Sequence, residues 1–216
     1  MKNMRTILIA VAALSLLAFG GTIAAAQDLN DWQSTGMAEV SLMGGVQALN
    51  ENDTSIYDNI LNVPVTATLG YRLSPIFALE GDFTWVIPVQ QSVELQPGVK
   101  TDRKSPDVLL YQANLRADLP LERSPVKPYL AAGLGGATFL SNTDANRLPR
   151  LQDSQTAFAI NFGAGLNARL SGPWGVRADF REFVAFPPND AEGLSVDGKA
   201  DDVWMERASL GLSYRF

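Results

Sequence analysis

Alternation of apolar and polar residues is the dominant pattern of this chain. From Val63 to Leu73, every second residue is valine, alanine, leucine or tyrosine, with proline, threonine, glycine or arginine between them. The segments Asp107–Leu119 and Val203–Phe216 follow the same rule. Successive side chains of a β-strand point to opposite faces, so each segment predicts a strand with one apolar and one polar face.

Eight segments of this kind occur along the chain. The links after the second, fourth and sixth segments are short, and the remaining links are long. Alternating segments of about ten residues with short turns at one end and long loops at the other are typical of barrels that cross a membrane. The sequence therefore predicts an all-β fold, an eight-stranded antiparallel up-and-down transmembrane β-barrel. The predicted strands are Gly36–Gln47, Val63–Leu73, Phe77–Trp85, Asp107–Leu119, Lys127–Phe139, Thr156–Leu170, Trp174–Arg181 and Val203–Phe216.

Two places depart from clean alternation. The segment Lys127–Phe139 is rich in glycine and alanine, so its two faces look alike and its facing stays open. Glu182 and Phe183 interrupt the pattern at the end of the seventh strand. An interruption of this kind predicts either a β-bulge or the edge of the membrane.

Aromatic residues near the strand ends predict two girdles at the membrane surfaces. A soluble barrel such as a lipocalin is the alternative, but it would carry apolar residues inside and polar residues outside. The long apolar face favours the membrane version. We expect one girdle at the short-turn end, from Tyr71, Phe77, Tyr129, Trp174, Tyr214 and Phe216, and the other at the long-loop end, from Trp85, Tyr111, Phe139, Phe158, Phe186 and Trp204.

The polar face of the predicted strands carries many charged residues. Buried charges persist only when they are paired and hydrogen-bonded, so a salt-bridged plug is expected inside the barrel. Arg169 and Arg215 share this face. The predicted interior charge network consists of Glu39, Arg72, Glu80, Asp82, Arg116, Asp118, Arg177, Asp179, Arg181 and Arg207.

The first 26 residues read as a secretory signal peptide. Lys2 and Arg5 precede a continuous apolar run from Ile7 to Phe19, and Ala24–Ala26 supply a small-residue cleavage site. A membrane anchor is the alternative, but the run is shorter than the ~20 residues of a spanning helix. We therefore divide the chain into a signal peptide at residues 1–26 and a barrel domain at residues 27–216.

The composition argues against several classes of function. The chain has no histidine and no cysteine, which removes the usual base of serine hydrolases and the usual ligands of zinc. Glu80 and Asp82 are the one carboxylate pair to consider for acid–base chemistry, and pairing with inward arginines is the stronger interpretation. No catalytic residue, cofactor or metal is predicted. A net charge of −6 argues against nucleic-acid binding.

The segments Lys127–Gly135 and Leu212–Phe216, together with the strand pattern, resemble the small bacterial outer-membrane barrels of the OmpA transmembrane-domain and OmpX-like type. The resemblance implies a cell outer-membrane location, periplasmic short turns and extracellular long loops. It implies that Tyr214 and Phe216 form an insertion signal for the barrel-insertion machinery. Outer-membrane lipid and lipopolysaccharide are the other implied partners, and we expect a monomer. Enzymes that share this fold type depend on histidine, which this chain lacks.

Two functions follow from these observations. The first is a non-enzymatic integral outer-membrane barrel with a structural or surface-interaction role through its extracellular loops. The alternative is a small-solute or ion channel, gated by the interior charged residues. The resemblance to OmpA-like barrels implies that an interior network of this kind can act as a gate.

Overall fold

The computed structural model describes residues 37–51, 60–96, 99–119, 121, 124–142, 144, 151–189, 191, 195–196 and 199–216. The predicted signal peptide at residues 1–26 lies outside these ranges and stays a prediction. The described residues form twelve β-strands, eight of which close into one antiparallel barrel. No helix among the described residues is long and apolar enough to cross a membrane.

The eight barrel strands confirm the predicted fold class and closely follow the predicted segments. The long links after the third and seventh barrel strands each contain a small two-stranded hairpin, which the sequence pattern did not predict. The barrel strands are β1 (Ala38–Glu51), β2 (Ile60–Arg72), β3 (Phe77–Pro88), β6 (Val108–Asp118), β7 (Val126–Phe139), β8 (Gln155–Arg169), β9 (Trp174–Phe186) and β12 (Val203–Arg215). The hairpin strands are β4 (Gln91–Gln96), β5 (Val99–Arg103), β10 (Ser195–Val196) and β11 (Lys199–Ala200).

Strand pairing sets the width and tilt of the barrel. Each barrel strand pairs with its neighbours along the chain, and β1 closes the barrel against β12. Following paired residues once around from Ser41 leads back to Glu51, ten residues farther along β1. A stagger of this size requires strongly tilted strands, and eight such strands enclose a space that side chains can fill.

The side chains divide between the two faces as the alternation predicts. Along β3, exposed and buried residues alternate strictly from Phe77 to Val86. Leu42, Leu69 and Leu134 are among the large apolar side chains exposed on the outer face. In an ordinary soluble protein, exposed apolar surface of this extent would be unfavourable. On a barrel it is the expected surface for lipid.

Short turns close one end of the barrel. Between β2 and β3, the Ser74 hydroxyl accepts a hydrogen bond from the Phe77 backbone N–H at 2.9 Å. Between β8 and β9, Gly172 takes a φ of 54°, a left-handed conformation that favours glycine. We call this the short-turn end and the opposite end the long-loop end.

Two expectations about individual side chains were wrong, and one of the two alternatives for the end of the seventh strand is excluded. Tyr129 and Phe139 do not belong to the aromatic girdles, because both are buried and face the barrel interior. Glu182 and Phe183 form no bulge, since β9 pairs with β8 and β12 in unbroken register through both residues. Phe183 simply continues the inward face of β9, where an apolar residue replaces the charges before it.

Candidate functional site

The barrel interior is the candidate site, because it gathers every member of the predicted charge network. All ten residues are buried, with no more than 5% of their surface exposed. They come from six strands, and strand pairing alone does not bring most of them together. The side chains meet across the lumen, so the network ties opposite walls of the barrel to each other.

Glu80, on β3, is the centre of this network. Its carboxylate accepts hydrogen bonds from Arg177 at 2.6 Å and from Arg181 at 2.5 Å, both on β9. Arg116, on the neighbouring strand β6, donates to it at 3.2 Å. One carboxylate thus holds three guanidinium groups, two of which reach it from the opposite wall.

A second group of ion pairs lies nearer the short-turn end. Glu39, on β1, accepts from Arg116 at 2.9 Å and from Arg215 on the paired strand β12. Asp118 accepts from Arg72 at 2.6 Å and lies 3.0 Å from Arg116 Nε. Arg116 is therefore shared between the two groups, since it contacts Glu39, Asp118 and Glu80.

A third group lies nearer the long-loop end. Arg207 donates to Asp82 at 3.0 Å and hydrogen-bonds the hydroxyls of Thr66 and Thr84. Asp179 lies 3.0 Å from Arg181 and 3.4 Å from Arg207, so it connects this group to the centre. The charges are thus compensated by direct contacts, as burial in a low-dielectric interior requires.

Tyr129 is a member of the site that sequence reasoning missed. Its hydroxyl donates to Asp179 at 2.6 Å and accepts from Arg177 Nε at 2.8 Å. The Arg177 guanidinium lies 4.8 Å from the centre of its ring, a distance suited to a cation–π contact. Gly165 faces this ring, and a Cβ at that position would overlap it. Adjacent residues of a strand point to opposite faces, and Leu130 is exposed on the outer face. This alternation was the signal that could have placed Tyr129 inside.

The interior changes character toward the long-loop end. On β3 the inward residues Glu80, Asp82 and Thr84 are followed by Val86, and on β9 Arg181 is followed by Phe183. A cluster of buried apolar side chains fills this half. Its members are Leu49, Val86, Val108, Leu110, Ala137, Phe139, Leu151, Ala157, Ala159, Phe183, Ala185, Val203 and Met205.

Leu151 belongs to the loop between β7 and β8, and not to a barrel strand. It is fully buried in the apolar cluster, and its carbonyl accepts a hydrogen bond from the Asn142 N–H at 2.8 Å. The loop therefore contributes to the closure of the barrel. The predicted salt-bridged interior rests on the charged inward residues alone and does not include this apolar half.

The chemistry available in the interior is limited. In the described part of the chain, no group of three or more His, Cys, Asp or Glu side chains is placed to hold a metal ion. Glu80 and Asp82, the one carboxylate pair considered for catalysis, are both engaged by arginines. The arrangement is suited to holding the walls of the barrel together.

A family model described as "Outer membrane protein beta-barrel domain" matches residues 11–216. The match extends over nearly the whole chain, so the chain belongs to this family and is a protein of the cell outer membrane. A Brucella canis protein named "25 kDa outer-membrane immunogenic protein" is 25% identical over 146 residues, which are 65% of this chain and 58% of that protein. A protein of the same name from Brucella suis matches to the same extent. The chain thus spans about 58% of the length of these curated relatives.

Two solved structures are similar in fold. The N-terminal β-barrel domain of Pseudomonas aeruginosa OprF superposes with a TM-score of 0.51 at 15% identity, covering 85% of this chain and 100% of that domain. Neisserial surface protein A gives a TM-score of 0.53 at 18% identity, covering 84% of this chain and 98% of that protein. Identities this low show a shared fold alone.

Proposed function

We propose that this outer-membrane barrel is a closed, non-enzymatic scaffold that holds its long loops at the cell surface for structural or interaction roles. The observation that carries the proposal is the filled interior. Ion pairs centred on Glu80 occupy one half and an apolar cluster occupies the other. A barrel filled in both halves has no continuous passage for solutes, which leaves its outer surface and loops as the places for function.

A non-enzymatic role is supported by the residue types present. The chain offers no histidine or cysteine as base or nucleophile, and its inward carboxylates are neutralised by arginines. The name of the Brucella relatives describes them as immunogenic. On an intact cell, the loops of an outer-membrane barrel are the segments that a host could recognise, which is consistent with a function in the loops.

The proposed partners follow from the outer face. Its apolar side chains would contact outer-membrane lipid and lipopolysaccharide. A single closed barrel without unpaired edges needs no second copy of the chain.

Tyr214 packs edge-on against both Trp174 and Phe216 at the short-turn end. Phe216 is 69% exposed, so its ring is available to the barrel-insertion machinery.

A gated channel for small solutes or ions is the second candidate. It is favoured by the sharing of Glu80 among three arginines, because an exchange of partners within such a group can open space without breaking strand pairing. Conduction would then require rearrangement of Glu80, Asp82, Arg116 and Arg177. The apolar half would have to open as well.

Surface labelling tests the scaffold proposal. The chain has no native cysteine, so a single introduced thiol reports its own position. Two variants carry this thiol. The first is Asp201→Cys, in an exposed segment before β12, and the second is Ser171→Cys, in the exposed turn between β8 and β9. We expect a membrane-impermeant maleimide to label the first variant on intact cells and the second only after lysis. Equal labelling of both on intact cells, or labelling of neither, would contradict loops held at the surface.

Conductance separates the two candidates. Barrel purified from outer membranes and inserted into a planar bilayer should be electrically silent if the interior is closed. Heat-modifiable mobility on gels would show that the inserted protein is folded. Discrete, reproducible openings of the folded protein would favour the channel.

A further inference from the structure

Charge is unevenly distributed along the barrel interior. The part of the network around Glu80 and Asp179 is balanced, since its three carboxylates contact three arginines of β9 and β12. At the short-turn end, among the described residues, two inward carboxylates face four buried cations. The carboxylates are Glu39 and Asp118, and the cations are Arg72, Arg116, Lys127 and Arg215. This end of the interior therefore carries an excess of positive charge.

Each of the two carboxylates is already shared between arginines. Glu39 accepts from Arg116 and from Arg215 Nε, both at 2.9 Å. Asp118 accepts from Arg72 at 2.6 Å and lies 3.0 Å from Arg116 Nε. Sharing satisfies the hydrogen bonds of the guanidinium groups, but a single negative charge cannot offset two positive ones. The excess is thus a property of the whole group and does not depend on any one unpaired side chain.

Lys127 is the cation that the predicted network did not include. It lies on the inward face of β7, paired with Asn167 of β8. Arg72 and Arg215 are close enough to repel its charge, and Asp118 is close enough to attract it. Arg169, the next inward residue of β8 toward the short turns, adds a half-buried cation at the rim. We call these five cations, Arg72, Arg116, Lys127, Arg169 and Arg215, the basic mouth.

The basic mouth is closer to solvent than the balanced part of the network. Lys127 and Arg215 are each 8% exposed, whereas the three arginines around Glu80 and Asp179 are 0% exposed. A small cavity lies beside Glu39, lined by three arginines of the mouth. The ion pairs of this end therefore leave space between them, and the space lies next to the short turns.

We infer that the basic mouth is a binding site for an oxyanion, a phosphate or carboxylate group that enters from the short-turn end. Buried charge persists when an opposite charge compensates it, and a cleft lined by one sign of charge concentrates its counter-ions. Water can hydrogen-bond to these cations, but it carries no net charge and cannot offset the excess. Lysine and arginine side chains form strong, charge-assisted hydrogen bonds to phosphate and carboxylate oxygens. This inference goes beyond the scaffold proposal, because closing the barrel requires no excess of either charge.

Stabilisation by inorganic phosphate tests the inference. The purified barrel is held in a non-ionic detergent, which brings no phosphate of its own, and its urea midpoint is followed as phosphate replaces chloride at constant ionic strength. A ligand that binds only the folded protein raises the midpoint in a saturable way. We expect this rise for the native barrel, and an apparent affinity about tenfold weaker for Lys127→Gln, which loses one charged contact. Lys104→Gln is the matched control, because it removes the same charge from a half-buried position near the long-loop end, and it should respond like the native barrel.

Two outcomes would overturn the site. One is an equal response of Lys127→Gln and the native barrel. The other is a rise that grows with phosphate concentration without saturating, because phosphate also stabilises proteins generally through its exclusion from their surface.

A second variant keeps the inference testable if Lys127→Gln fails to fold. Arg169→Gln removes the half-buried cation at the rim and should also weaken the response to phosphate. Acetate in place of phosphate identifies the group that binds. A saturable rise with acetate alone assigns carboxylates, and one with phosphate alone assigns phosphate groups. A native barrel that shows no saturable response to either anion would contradict the inference.

Discussion

The two halves of the barrel interior are filled by opposite kinds of side chain. The half near the short turns is packed with arginines and carboxylates in direct contact, whereas the half near the long loops is packed with leucine, valine, phenylalanine and methionine. Both halves are built from the same strands. On β9 the change occurs between Arg181 and Phe183, two consecutive inward positions.

The difference shows two ways of filling a narrow barrel. Apolar packing closes space without requiring any particular partner, and its loss leaves a cavity. Ion pairs fix which wall faces which, since each carboxylate must meet its arginines across the lumen, but removing one partner leaves a charge buried and uncompensated. The charged half should therefore be the more sensitive to single substitutions.

The largest effect is expected from Glu80→Ala. The substitution leaves Arg116, Arg177 and Arg181 without their shared carboxylate, and breaking a buried pair in this way costs about 3–5 kcal/mol. The measurement is the urea midpoint of the barrel in lipid vesicles. Asp202→Ala, at an exposed position before β12, serves as the control and should leave the midpoint unchanged. The double variant Glu80→Ala, Asp82→Ala should be destabilised further, and a midpoint equal to that of the native barrel would refute the network.

A smaller effect is expected from Leu110→Ala in the apolar half. Leu110 is fully buried in the cluster, so its truncation leaves a cavity that costs about 3 kcal/mol. Leu115→Ala is the matched control, because it removes the same atoms from the lipid-facing side of the same strand. Equal losses of unfolding free energy in the two variants would show that the apolar half is not a packed core.

The smallest effect is expected from Tyr129→Phe, which removes one hydroxyl from the charged half. The change deletes the hydrogen bonds to Asp179 and Arg177 and leaves the ring in place, at a cost of about 2 kcal/mol. Tyr111→Phe is the control, since that hydroxyl lies on the outer face and forms a single long hydrogen bond among the described residues, with Thr138 at 3.3 Å. A Tyr129→Phe barrel as stable as its control would mean that the tyrosine merely fills space.

The sequence predicts the facing of side chains better on some strands than on others, and the reason is physical. On β2, β3 and β6 the inner and outer residues differ strongly in polarity, so period-two alternation determined both the strands and their facing. On β7 glycine and alanine occur on both faces, and Tyr129 was assigned to a girdle because of its residue type and its position near a turn. Its alternation with the outward-facing Leu130 predicts the inward position that the structure shows.

The ion-pair partners were beyond prediction from one sequence. Glu80 and Arg177 are 97 positions apart, and Glu39 and Arg215 are 176 apart. Which charges meet depends on the pairing register of all eight strands and on the stagger that closes the barrel. The alternation identified which charges point inward. It contained no information on which wall each one reaches.

If the charged half and the apolar half each close the barrel, then loosening one should leave the barrel closed by the other. The planar-bilayer conductance of folded Glu80→Ala tests this most directly. This variant loosens the charged half and leaves the apolar cluster intact. We predict that it stays electrically silent, like the native barrel, because Leu110, Phe183 and their neighbours still close the long-loop half. Sustained discrete openings of the folded variant would contradict the account and show that the ion pairs alone had been closing the barrel.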